Sequence, residues 1–187
     1  MVLFGLVGIY LLMMFLGLGN EDAFEDNLLP ELIGFCLEGF FLVGLFSLIQ
    51  RRNERDRKSQ LRQSLRGALR EILSHLDIAL LEENAEPAKS ETLDKDQQFV
   101  RILFVKLHKG ELSLDNMLNI KQAAARNLST MHDLIPVAAQ LSADHMRWWL
   151  AIAESVRHLS EATDKDSINF SAHKFLKHLG EFDQLPL

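Results

Sequence analysis

Seven histidines, at 75, 108, 132, 145, 158, 173 and 178, have the widest chemical reach in this chain, since imidazole binds metals and moves protons near neutral pH. Two imidazoles share one ion on a helix when they stand three or four apart. No pair here does; the nearest, His173 and His178, are five apart. Asp144 and His145 adjoin, but neighbours on a helix diverge by about 100 degrees and do not form an acid–base pair by spacing alone. Walker lysine loop, dinucleotide glycine fingerprint and nucleophile elbow are all absent. The single cysteine, Cys36, allows neither an internal disulfide nor a cysteine zinc site. The residues therefore give no catalytic group, metal ligand or cofactor, and the expectation is a protein that is not an enzyme.

Glu38 is the carboxylate in an unusual place. It lies inside the run GFCLEGFFLVGLFSLIQ, which ends in RRNERDRK. An ionised Glu at mid-bilayer costs at least ~2.5 kcal/mol, so in a span it is protonated, paired or turned towards protein. Tyr10 is the strongly polar side chain of an earlier apolar run, and both residues lie about 13 to 15 Å from the connector between the runs by helical rise. In an antiparallel hairpin they reach one depth, so a Tyr10–Glu38 contact is expected within a hairpin or between protomers. Gly5 and Gly8 on one helix, and Gly34, Gly39 and Gly44 on the other, expose backbone for close packing.

These residues require two membrane-spanning elements. The first nineteen positions carry no charged side chain and cover about 28 Å as a helix, close to the hydrocarbon thickness of a bilayer. The second run covers 28–49, with Pro30 near its first turn, where a missing amide donor is least harmful. Between them, 20–27 form an acidic connector. All twenty Lys and Arg residues follow Gln50, and the first fifty positions carry six acids, so the net charge of −6 belongs to the N-terminal part. Arg51, Arg52, Arg55, Arg57 and Lys58 then act as the topology signal and as contacts for anionic lipid, placing the connector outside and both termini in the cytoplasm. Cleavage of the first run as a signal peptide is the rival reading, against which stand the missing basic n-region and the long apolar stretch.

Beyond Gln50 the chain is charge-balanced and reads as helical throughout. From 51 to about 81 one long amphipathic helix is expected, with Arg51, Arg55, Lys58, Arg62, Arg66 and Arg70 on a basic stripe and Leu61, Leu65, Leu69, Ile72 and Leu76 on an apolar one. Continued straight, this helix carries Arg62 about 17 Å from the membrane boundary, beyond a Debye length of about 8 Å. The distal arginines therefore need other partners: solvent, an anionic ligand or the acidic stretch near 81–86. Residues 84–98 read as a loop, and FVRILFVKLHKG as a short buried helix closed by Gly110. Helices follow over 114–128 behind Ser113, after Ser142, and after Asn169 up to Gly180, with Pro136 restarting the pattern between them. Trp148 and Trp149 read as one rim and one core residue. Charge balance and the lack of interleaved aromatics argue against nucleic acid as a partner.

The expected architecture is all-α: a two-helix transmembrane hairpin over 1–50, then a long juxtamembrane helix and a cytoplasmic helical bundle over 51–187. The expected function is an anchor or adaptor in the bacterial inner (plasma) membrane, binding a protein partner through 51–187, with the hairpin mediating homo-oligomerisation. A hairpin with a mid-span carboxylate is similar to the ring subunit of rotary ATP synthases. That family's alternating glycines are missing from VLFGLVGIYLLMMFLGLG, and its loop faces the cytoplasm. The two-span architecture with a cytosolic helical domain also resembles the membrane effectors of bacterial antiphage systems, including those accompanying retrons. That resemblance implies the alternative function, a membrane-disrupting or pore-forming defence effector.

Overall fold

The computed structural model describes residues 6, 10, 13, 23–81, 85–110 and 112–187, the side chains of 23–33 and 36 excepted. Among the described residues the chain is all-helical, with eight helices in the order α1 (Ala23–Ala68), α2 (Arg70–Ala79), α3 (Ser90–Lys95), α4 (Gln97–Lys109), α5 (Leu114–Asp133), α6 (Ile135–Leu141), α7 (Ala143–Glu161) and α8 (Lys165–Gln184). It divides into two compact units, Met1–Asp56 and Arg57–Leu187.

In the first unit the expected connector is corrected: from Ala23 onward it is helical, so Pro30 lies inside α1 rather than in its first turn. Acids in the opening turns of a helix interact favourably with its dipole, and 23–27 contain no residue that stops a helix. Phe40, Phe41, Leu42 and Val43 are all exposed, although successive residues on a helix point about 100 degrees apart. This stretch is therefore apolar around its whole circumference. No helix among the described residues is long and apolar enough to cross a membrane.

The second unit owns a core. α8 packs along α7, α7 also against α5 and α6, α2 against α5, and α4 against α8. Trp149, Phe175 and Phe182 fill the centre, with the Trp149 indole N–H donating to the Met131 carbonyl at 2.9 Å, while Trp148 is half-buried. From the anticipated apolar stripe, Leu65, Leu69, Ile72 and Leu76 are fully buried, and Leu61 lies at the edge. The long helix breaks once, at Leu69, whose amide tightens onto the Arg66 carbonyl at 2.9 Å before α2 begins.

Local signals set most boundaries. Asp96 caps α4, Ser113 caps α5 and Ser142 caps α7, each side chain accepting from a backbone amide inside its helix. Pro136 stands in the first turn of α6. Four boundaries differ from the expectation. α5 continues past 128 to Asp133, with Met131 buried in its last turn. The loop over 84–98 contains α3, because Leu93 is buried and Asp94 meets Arg70. α8 starts earlier, at Lys165, where Asp164 and Ser167 form a reciprocal capping box. It also runs through Gly180 to Gln184, since Leu179 and Phe182 are buried on either side of that glycine.

Candidate functional site

Two sets of candidate residues lie in different parts of the chain. In the first unit, Tyr10 and Glu38 are both exposed, and among the described residues no hydrogen bond joins them. Gly5 and Gly8 lie outside the described residues. Gly39 and Gly44 are half-buried, and a Cβ placed on Gly34 meets nothing within 4 Å. Gly34 therefore offers an open surface. Arg51, Arg52 and Arg55 are exposed, forming a basic collar directly after the apolar stretch.

In the second unit, Arg57 is exposed and donates to Gln140 Oε1 at 2.9 Å, and Lys58 is half-buried. The next members of the stripe turn inward. Arg66 is 2% exposed and ion-pairs with Asp183, itself 3% exposed, while its second terminal nitrogen donates to the carbonyls of Leu93 at 2.9 Å and Asp96 at 3.0 Å. One guanidinium thus ties α1, the start of α4 and the end of α8 together. Arg62 sits one turn earlier, donating to the carbonyls of Asp183, at 3.4 Å, and Leu185, and to His145 Nε2 at 3.0 Å. Arg70 forms a bidentate pair with Asp94. Of the distal arginines, Arg66 is thus partnered by Asp183 in the interior, and Arg70 by Asp94 at a half-exposed site.

The hydrogen-bond roles fix the protonation of His145. Arg62 has only donors, so Nε2 must accept; Nδ1 then carries the proton and donates to Ser142 Oγ at 2.7 Å. The ring is neutral, and burial holds its pKa below the usual histidine range, reinforced by the cationic Arg62 and Lys58. Burial also lowers the Arg62 pKa, with Asp183 opposing. The Asp183 carboxyl is pushed upward by burial against the pull of Arg66 and Arg62. Its Oδ1 and the Nε atoms of both arginines lack a partner among the described residues, so two cations and one carboxylate share a largely dry site.

This cluster has the chemistry of a structural clamp. It brings an imidazole and a carboxylate near two guanidiniums; the one serine in it, Ser142, accepts from His145 Nδ1 and from the His145 backbone amide, so its hydroxyl serves as a helix cap rather than giving a proton to the ring. His173 stands across from His108, with ring centroids 6.0 Å apart, and its pKa is lowered by burial and then by His108. Among the described residues no three His, Cys, Asp or Glu side chains converge as a metal site requires.

A groove of about 500 Å³ runs between α4 and α8, with Val100, Phe104 and Leu176 on its walls and Gly180 opening onto it. A smaller hollow, lined by Ile102 and Val105, lies on the neighbouring face of α4 and shares Gln98 and Arg101 with the groove. Neither the clamp nor the groove was assigned from sequence. The available signal was the three- and four-residue spacing of Arg62, Arg66 and Arg70, which fixes a common face but not whether that face is wet.

Set beside known protein families, curated proteins and solved structures, the chain matches none of them. The class defined by its fold is that of all-α proteins.

Proposed function

We propose that this chain is a membrane anchor and adaptor. Residues 1–19 and 28–49 form a hairpin in the inner (plasma) membrane, and the helical domain beyond residue 50 binds a protein partner from the cytoplasmic side. The observation that carries the reading is the collar of exposed apolar side chains around α1, from Phe35 through Phe40, Phe41, Leu42 and Phe46 to Ile49, followed at once by Arg51 and Arg52. Water on every side of such a rod is unfavourable by roughly 25 cal/mol per Å² of apolar surface, whereas lipid tails cover it without cost. The described apolar stretch of α1, residues 34–49, is about 24 Å long, and residues 28–33, with Glu31 as their one charged residue, extend it to span length. The arginines then set the cytoplasmic side and meet anionic headgroups at roughly 1 kcal/mol each.

Reporter enzymes fused after Asn27 and after Leu187 test the topology. Activity of the first outside and of the second inside is the expected pattern; the reverse at either position removes the reading.

A second reading follows from Glu38, a carboxylate exposed in the middle of the apolar stretch. Hairpins assembled with Glu38 on an inner face, near Tyr10 of the same or a neighbouring copy, form a polar-lined path, and the chain is then a membrane-disrupting effector of bacterial defence. Induced expression separates the two. Collapse of membrane potential that is lost in Glu38→Gln belongs to the effector, and unimpaired growth to the anchor.

A further inference from the structure

We propose that the groove between α4 and α8 is a homotypic interface, in which α4 of a second copy of this chain lies along α4 and α8 of the first. The inference rests on the self-association part of the reading above, and not on membrane crossing. α4 stands at the edge of the bundle, packed chiefly on α8, and on its outer face Ile102 is 49% and Val105 44% exposed. These two side chains lie one step round the helix from the groove and share its rim residue Arg101. The groove has room for them because Gly180 contributes no side chain: a Cβ there meets nothing within 4 Å. Gly180 is an interior residue of a twenty-residue helix, where glycine is unfavourable relative to alanine, and its place on the groove gives it a reason to be small.

Charge selects a second copy as the occupant. Arg101 on α4 and Glu181 on α8 both line the groove, and neither has an ion-pair partner among the described residues. A two-fold operator that lays one α4 along the other groove brings Arg101 of each copy to Glu181 of its mate, so a single geometry makes the same pair twice. Residues from Arg51 onward carry twenty basic and twenty acidic side chains, so no net charge holds two copies of the domain apart. Anchoring on one membrane raises their mutual concentration, which lets a modest interface suffice.

The test uses the full chain in native membranes, co-expressed with two different tags and carrying a photo-crosslinking phenylalanine analogue at position 102. Irradiation is expected to join the two tags. Arg101→Glu or Glu181→Arg alone is expected to lower the joined product at least tenfold, and the two together in one chain to restore it. Gly180→Phe, which fills the groove, is expected to abolish the product while the domain keeps its resistance to limited proteolysis. No tag-to-tag product, products only with other proteins, or a yield indifferent to the charge reversals would overturn the proposal. Alkaline carbonate extraction of the same membranes scores the anchor separately. A retained chain without tag-to-tag product loses only the groove interface, and an extracted chain that still crosslinks loses only the anchor.

Discussion

Arg66 is the residue on which the second unit turns. It places a guanidinium where almost no water reaches, opposite a carboxylate 117 positions away, and its other donors satisfy two backbone carbonyls. Burying such a pair brings little net stability, because desolvation cancels most of the attraction, but losing one partner leaves the other charged and dry. Arg66→Met should therefore destabilise the domain by about 3–5 kcal/mol in denaturant unfolding, and Arg66→Met with Asp183→Leu should recover most of that loss. His145 gives a pH dependence of definite sign. Its folded pKa lies below the unfolded value, so below about pH 6.5 the unfolded chain binds a proton that the folded chain refuses, and stability falls as pH falls. His173 acts in the same direction. Thermal melts from pH 7.5 down to 5.5 should show the decline, and His145→Gln should flatten it.

At the scale of elements, the helices are set by their ends and held by one face each. α8 shows both: Asp164 and Ser167 cap each other's backbone amides at the start, and Phe175, Leu176, Leu179 and Phe182 bury one side. Gly180, half-buried at the flank of that side where the groove opens, is unfavourable for a helix, and a Cβ there meets nothing within 4 Å. Gly180→Ala should raise unfolding stability by roughly 0.5–1 kcal/mol, because alanine reduces the entropy lost on folding without meeting a neighbour. A loss of stability would mean that the groove is narrower than described. α4 illustrates an ambiguous sequence: FVRILFVKL suits a strand by composition, and it is helical because Asp96 caps it and Phe99, Val100, Leu103 and Leu107 bury at helical spacing against α8.

The whole molecule joins two solvation problems. Residues 57–187 close a core from Leu65 to Phe182, with the clamp binding the first and last helical segments of that unit. A fragment of 57–187 should therefore fold alone, with cooperative thermal unfolding followed by far-ultraviolet circular dichroism; a non-cooperative melt would show that the upstream residues are needed. Among the described residues the apolar stretch of α1 has no comparable shield, and that is why the proposed anchor needs lipid around it.

The sequence by itself determined what depends on near neighbours. Helical periodicity, the caps at Ser113 and Ser142, the restart at Pro136 and the Leu65–Leu69–Ile72–Leu76 stripe are all interactions within a turn or two, so they are written locally. The segregation of charge after Gln50 is equally plain. Only the tertiary structure decided which basic residues are dry. Arg51, Arg55, Arg62 and Arg66 share a stripe, yet the first two face solvent and the last two are buried, because Asp183, Leu185 and His145 arrive from more than eighty residues away. Helical spacing specifies direction around an axis, whereas burial depends on what stands in that direction, and that is fixed only when distant segments pack.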